Sequence, residues 1–441
     1  MTVSRWFCES ARLIFVVVAL LVAGPVLAAE GAEQAETSEA PATFVDEVID
    51  FIKGGKPILD VNLRWEYGKI DDQKVAHSST VRTRLGYQTK PLKGFSGLLE
   101  FVNVSSPRPS AYYDGTGSNS QNRTIVADPE VTDINRAWLG FDRPDWYGSK
   151  LKAGRQRIIL DDARWIGNVG WRQNEQRFDS ARGQTSLGID DLNVQYMFVW
   201  NVKRIFGDQG SNTSNQDYTQ ATHFMNVSYD VAKELQATAF AYLIDPNNLD
   251  NTTDSRALNH STTFGLRLTG KVEFSDKLDS HYEISYAYQS DWRDNPVDYD
   301  AHYYKLAAGL DYHPIAAFEL GYEVLGSDDG KAVIATPFAT AHKFNGFADA
   351  FLDNGGARGL RDVFISITPA IPIDKLKFTA IVHQFYSDQG GDNLGQEYDA
   401  VASYDINKYL QVLYKVAYYD ESDRSSPKSR VRSILQTTFK F

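Results

Sequence analysis

The sequence predicts an all-β protein, a transmembrane antiparallel β-barrel of about eighteen strands. Three observations carry this. The segment Val431–Phe441 places Val431, Ser433, Leu435, Thr437, Phe439 and Phe441 on one face, and period-two patterning means a strand with different solvents on its two sides. The composition has 24 Tyr, 24 Phe, 8 Trp and 32 Gly against 3 Met, with a negative mean hydropathy, so apolar content is diluted by alternation, as in barrel strands. Short turns and long polar loops also alternate along the chain. A soluble edge strand can end in the same way, but a soluble all-β protein of this size needs continuous apolar strands to fill a core, and few occur here.

At the amino end, Arg5 and Arg12 precede or border an apolar run from Leu13 to Ala23, followed by Pro25 and Leu27-Ala28-Ala29. This reads as a cleaved secretory signal over residues 1–29. The run is shorter than the roughly 20 residues a spanning helix needs. The only cysteine, Cys8, lies inside this leader, so the mature chain has neither a disulfide framework nor a lipid-modified amino-terminus. Removing the leader takes away two Arg and one Glu and moves the formal charge from −12 to −13, which argues against a nucleic-acid partner. Glu30 to Ala42 is acidic and unpatterned, as a disordered tail is. Phe44, Val45, Val48, Ile49 and Ile52 then recur at helical spacing before Gly54-Gly55, which predicts a short amphipathic helix. Residues 30–56 are therefore expected as a periplasmic tail with a helix, and 57–441 as the barrel.

From Pro57 the period is two. Leu59, Val61, Leu63, Trp65 and Tyr67 share one face; Asp60, Asn62, Arg64 and Glu66 share the other. The apolar row suits lipid and the charged row a wet interior. The alternation returns in Val81–Tyr87 with Arg82 and Arg84 inward, in Asn135–Phe141 with Arg136 inward, and in runs beginning at Leu192, Phe264, Tyr282, Tyr304, Phe318, Val363, Leu376 and Leu410. Short connections fall at Pro91–Gly94, Pro144–Gly148, Gly188–Asp191, Asp230–Glu234, Ser275–Lys277, His313–Pro314, Pro369–Asp374 and Asp405–Lys408. Long ones lie around 70–79, 105–131, 159–175, 201–220, 245–260, 290–302, 326–358, 387–397 and 420–430. Alternating eight short with nine long connections gives about eighteen strands, an even number that puts both ends in the periplasm. The runs near 95–105, 176–187 and 222–244 alternate weakly and leave the count open by about two.

The most distinctive local sequence is Gly154–Asp179, in which Gly154-Arg155-Gln156 is followed by Trp165-Ile166-Gly167-Asn168-Val169-Gly170-Trp171-Arg172-Gln173-Asn174-Glu175-Gln176-Arg177-Phe178-Asp179. Here the chain resembles the alginate-export family of outer-membrane channels, in which a GRQ strand end precedes such a W-x-G-x-x-G-W-R-Q-N-E-Q-x-F-D loop. His342-Lys343-Phe344-Asn345-Gly346-Phe347-Ala348-Asp349 is similar to that family's H-K-F-x-G-F/W-A-D loop. The aromatic carboxy-terminus likewise resembles the recognition signal of bacterial outer-membrane proteins. The resemblance implies a barrel in the bacterial outer membrane, an acidic uronate polymer as cargo, and a basic conduit for it.

The residues support a physical reading of their own. Paired glycines allow tight folding, Trp165 and Trp171 can anchor, and the guanidinium forks of Arg155, Arg157, Arg164, Arg172 and Arg177 suit carboxylates. The two motif loops, over 154–179 and 333–357, are expected to fold inward and narrow the lumen, with Trp165, Trp171, His342, Lys343 and Asp349 in the constriction. The other reading is that these arginines pair with Asp161, Asp162, Glu175 and Asp179 and only stiffen a surface loop. Arg155 and Arg157 share parity with Leu151 and Ala153, so they lie above the bilayer or a bulge intervenes at Gly154. Inward Arg64, Arg82, Arg84 and Arg136, joined by Lys305 and Lys377, form a basic ladder that would select anions. Glu66, Glu100, Glu283, Glu319 and Glu323 point inward as well, and a balanced lumen is the alternative.

His342 with Asp349, or Asp161-Asp162, would suit hydrolysis or a cation site, but no nucleophile–base pairing or metal-ligand spacing completes them. Gly326–Gly330 is acidic and lacks the lysine and helix of a phosphate loop. It reads as a turn. The expectation is passive, anion-preferring passage of an acidic polysaccharide or oligosaccharide by a monomer embedded in outer-membrane lipid, with no cofactor, catalytic residue or metal and with periplasmic scaffold proteins as possible partners. The alternatives are a weakly selective diffusion porin and a surface hydrolase or adhesin barrel.

Overall fold

A computed structural model describes residues 44–117, 122–207, 217–246, 258–424 and 427–441. The leader 1–29 and the tail 30–42 lie outside the described residues. Among the described residues no helix is long and apolar enough to cross a membrane.

The chain crosses with strands. They are β1 Lys56–Ile70, β2 Ala76–Gln88, β3 Phe95–Ser105, β4 Val131–Arg143, β5 Ser149–Gln156, β6 Arg177–Thr185, β7 Leu192–Lys203, β8 Tyr218–Ala232, β9 Leu235–Ile244 and β10 Ser261–Ser275. After these come β11 Leu278–Asp291, β12 Asp300–Tyr312 and β13 Ala316–Leu325, then the two-residue ribbon β14 Ser327–Asp328 and β15 Ala332–Val333. β16 Leu360–Pro369, β17 Leu376–Tyr386, β18 Asn393–Asp405, β19 Leu410–Glu421 and β20 Arg430–Lys440 complete the chain. All but the ribbon belong to one 18-stranded antiparallel sheet. Pairing of β1 with β20, Trp65 opposite Leu435 and Val61 opposite Phe439, closes it. In lipid, where no water can satisfy an open edge, closure is obligatory.

The weakly alternating runs near 95–105, 176–187 and 222–244 all form strands, and each short connection falls where the turn residues predict it. The faces divide as the period requires. Leu63, Leu85, Leu139, Leu151 and Leu320 stand exposed on the outside, whereas Asn62, Arg64, Glu66, Thr80, Arg82, Arg84 and Glu100 are buried inside. The first and last barrel residues lie at the short-turn end. There the last turn of the helix Phe44–Lys53 meets the β2–β3 connection through Asp50 and Lys90, 2.6 Å apart, and the end of β2 through Ile52 O, which accepts from Tyr87 Oη.

The registers of β4 with β5 and of β5 with β6 are unbroken through Gly154, so no bulge shifts Arg155. Irregularities fall instead between Glu100 and Phe101 and between Asp179 and Ser180.

Candidate functional site

The long loops at 157–176 and 326–359 fold into the barrel and pack on each other. Left-handed backbone at Asp161, Ala163 and Val169 bends the first loop tightly, and Leu160 donates its N–H to Ile166 O at 3.0 Å. This turn aims Trp165 at Phe240, Tyr242 and Tyr303 on the inner wall, with ring centroids 5.8, 6.4 and 5.2 Å away. The second loop inserts Phe338 against Phe178 and Phe224, at 5.8 and 6.0 Å. Gly167 N donates to Phe338 O at 2.8 Å and Thr340 N to Ala163 O at 3.0 Å. With Ile158, Leu160, Ile166, Ile334 and Phe351 the loops build an apolar core inside a polar lumen. Gly326–Gly330 contains β14 and enters the turn to β15, where Lys331 N donates to Asp328 O at 2.8 Å.

Below that core the loops are held by ions. Arg172 reaches Glu66 at 3.1 Å, Asp349 at 3.5 Å and Asp128 at 3.7 Å. Arg432 closes the ring by pairing with Glu66 and, at 3.3 Å, with Asp349. Trp171 stacks on His342 at 3.4 Å under the Arg172 guanidinium. His342 Nδ1 faces Asp349 Oδ1 at 2.8 Å, and Lys415 Nζ lies 2.9 Å from Nε2. Burial and then Lys415 hold His342 well below its usual value, with Asp349 opposing them. Burial would raise the Asp349 carboxyl, but His342 and Arg432 outweigh it and hold it below the ordinary range. Glu175 behaves likewise, since burial is outweighed by Arg84 and Arg157. It also accepts hydrogen bonds from Asn135 at 2.8 Å and Asn168 at 2.6 Å. Arg164 pairs with Glu323 at 2.9 Å. Lys305 joins Asp162 at 3.3 Å and Glu283 at 3.0 Å, and Lys343 donates to Asp162 O at 2.9 Å.

The wall arginines are present but paired. Arg64 meets Asp128 at 3.1 Å, Arg82 meets Asp60 at 2.7 Å, Arg84 meets Glu175 at 3.5 Å and Arg136 meets Glu100 at 2.6 Å. Three residues assigned to the lumen have the other backbone parity, and one of them, Arg177, is fully buried. Arg155, Arg177 and Asp179 keep the lipid-side parity of Leu151, Ala153 and Ala181 and cluster at the long-loop end. Arg155 binds Asp179 at 2.8 Å there, and Arg177 reaches Asp133 at 3.4 Å. Arg157, one residue beyond β5, turns back into the lumen onto Glu175. Lys377 has inward parity but sits exposed at the short-turn end, on β17, which β18, β19 and β20 separate from the strand of Arg64. His342 and Asp349 are buried.

Sequence reasoning missed Asp128, Lys415 and Arg432, which complete the ring around Trp171, and Lys150, Lys152 and Arg182. The last three alternate with Leu151, Ala153, Ala181 and Gly183, so parity alone could have placed them inside. With Arg136 and Arg157 they line an open cavity of about 430 Å³ in the short-turn half, where Asp142 is the one carboxylate. A second cavity of about 400 Å³ shares Arg136 and Arg157 and extends to Asp60, Arg84 and Lys440. Among the described residues no group of three or more His, Cys, Asp or Glu is arranged to hold a metal ion.

A closed 18-stranded barrel with an apolar outside, a charged lumen and inward loops is an outer-membrane protein of the porin class. The chain belongs to the alginate-export family, whose family model matches residues 110–404. Solved outer-membrane structures share the fold. OccAB3 of Acinetobacter baumannii superposes with a TM-score of 0.66 at 14% identity, over 88% of this chain and 100% of that one. OpdQ of Pseudomonas aeruginosa gives 0.64 at 15%, over 89% and 99%, and OccK11 (OpdR) of the same organism 0.62 at 12%, over 89% and 97%. No curated protein sequence matches the chain.

Proposed function

We propose that the protein is a passive, anion-preferring channel for an acidic, alginate-like polysaccharide or its oligosaccharides. The observation that carries this reading is the wall of the 430 Å³ cavity, lined by Arg136, Lys150, Lys152, Arg157 and Arg182 with Asp142, where of the five cations Glu100 and Glu175 pair only Arg136 and Arg157. Fixed cations in a narrow aqueous passage favour anions. Family membership supports a uronate cargo. In this reading residues 1–29 direct secretion, the short-turn end faces the periplasm, and the constriction is the Trp171–His342 crossing of the two loops. The channel works as one chain in lipid, without a cofactor and without an enzymatic step. A gene neighbourhood with a polymer synthase and periplasmic scaffold would mark an exporter; one with lyases, an importer.

A second reading, a weakly selective porin for small anions, draws on the pairing of Arg64, Arg82 and Arg84 with Asp128, Asp60 and Glu175. Single-channel recording separates the two. Oligouronates added from the short-turn side should interrupt the current at concentrations where neutral oligosaccharides of equal length do not. Equal interruption by both sugars, or none by the uronate, overturns the uronate reading.

A further inference from the structure

The basic cavity contains one aromatic side chain, Trp138, in the middle of its wall. β4 presents it inward between Arg136 and Gly140. A Cβ on Gly140 would lie 3.2 Å from the indole Cζ3, so the glycine leaves room for the ring to lie along the sheet. Lys152, opposite Gly140 in the register, holds its ammonium 4.2 Å from the ring centroid. Neither Lys152 nor Arg182 has a carboxylate partner among the described residues. Arg182 donates through Nη2 to Gln195, and its Nε makes no hydrogen bond. Lys150 stands exposed at the cavity mouth. The ring thus lies beside two cations, Lys152 and Arg182, that pair with no carboxylate among the described residues, whereas Arg136 is tied to Glu100 and Asp142 sits opposite Lys150 in the register.

We propose that Trp138, Lys152 and Arg182 form a binding subsite for a single hexuronate unit, a pyranose ring bearing a carboxylate. The indole takes the apolar face of the sugar, as aromatic rings take apolar bodies with polar edges. The Arg182 fork and the Lys152 ammonium take the carboxylate, with Lys152 leaving the ring face that it covers in the empty channel. A volume of about 430 Å³ lies within the range of small-ligand sites, roughly 300–1,000 Å³. The inference rests on the proposed uronate passage and adds a ring-recognising station to it.

The test is the dwell time of an oligouronate in single channels of the full-length protein, with an oligoacrylate of equal charge as the carboxylate chain without sugar rings. Trp138→Leu keeps the bulk over Gly140 but removes the aromatic face, and Trp138→Phe retains a face. The leucine variant should shorten uronate dwell about three- to tenfold, the scale of one ring contact, and leave acrylate dwell unchanged. The phenylalanine variant should stay within about twofold of the parent. Arg182→Ser with Lys152→Ser should shorten both dwells. Unchanged uronate dwell in the leucine variant, or equal losses for both polymers, overturns the subsite while leaving the channel reading intact. Absence of uronate block in the parent protein would instead remove the reading beneath it.

Discussion

At the scale of single residues, buried ion pairs fasten the loops to the wall, and their partners set the consequences of change. Glu175 holds Arg84 and Arg157 together from the first loop. Glu175→Gln leaves buried Arg84 with only the longer contact to Asp60, at 4.0 Å, and should lower the stability of the folded barrel by up to about 3–5 kcal/mol, the scale for breaking a buried pair. The midpoint of its heat-induced mobility shift in detergent gels checks this; an unchanged midpoint contradicts it. Titration follows from the depressed values. His342 faces Lys415, Asp349 and Arg432 and stacks between Trp171 and Phe347. Because docking keeps it neutral, its contribution is complete above an undocked pKa of about 6.5 and declines as pH falls below that, since the undocked imidazole binds the proton first. Asp349 and Glu175, depressed carboxyls, contribute above about pH 4 and lose that contribution below it. Loop docking should therefore weaken in two windows. Current noise should rise between pH 7 and 5 in the parent, and His342→Gln should flatten that rise.

At the scale of elements, the second loop depends on one backbone position. Gly346 has φ +85, and a Cβ there would lie 2.3 Å from the Glu397 carboxyl carbon. The neighbouring Phe347 and Ala348 N–H groups donate to Asp399 at 2.9 Å and Glu397 at 2.6 Å. Gly346→Ala should lift this stretch off the wall and raise single-channel conductance, in the direction expected for deletion of residues 338–350. Equal conductance in the variant and parent would show that the loop does not limit the passage. The strands and turns were legible because lipid outside and water inside impose period two over the barrel. Register irregularities were not, since the displacement at Glu100–Phe101 depends on which side chains meet across strands. The inward course of the loops showed in their glycines and tryptophans. Their clasp did not, because Asp128, Lys415 and Arg432 come from separate parts of the chain and carry no local motif. Parity identified Arg155 as a conflict, and the unbroken register through Gly154 leaves it on the lipid-side parity.

At the scale of the whole molecule, the proposed selectivity rests on unneutralised charge rather than on the number of arginines. Arg64, Arg82 and Arg84 are paired with Asp128, Asp60 and Glu175, whereas Lys150, Lys152 and Arg182 line open space. Replacing the latter three by Ser should reduce anion preference more than replacing the former three, with reversal potentials as the readout. The reverse order would return selectivity to the paired ladder. The central claim is anion preference itself, and its most direct measurement is the zero-current potential of the unmodified channel in a planar bilayer between two potassium chloride concentrations. The basic wall predicts a potential with the sign of chloride permeating faster than potassium, shrinking as salt is raised and screening increases; a potential near zero, or one with the sign of potassium, would contradict it.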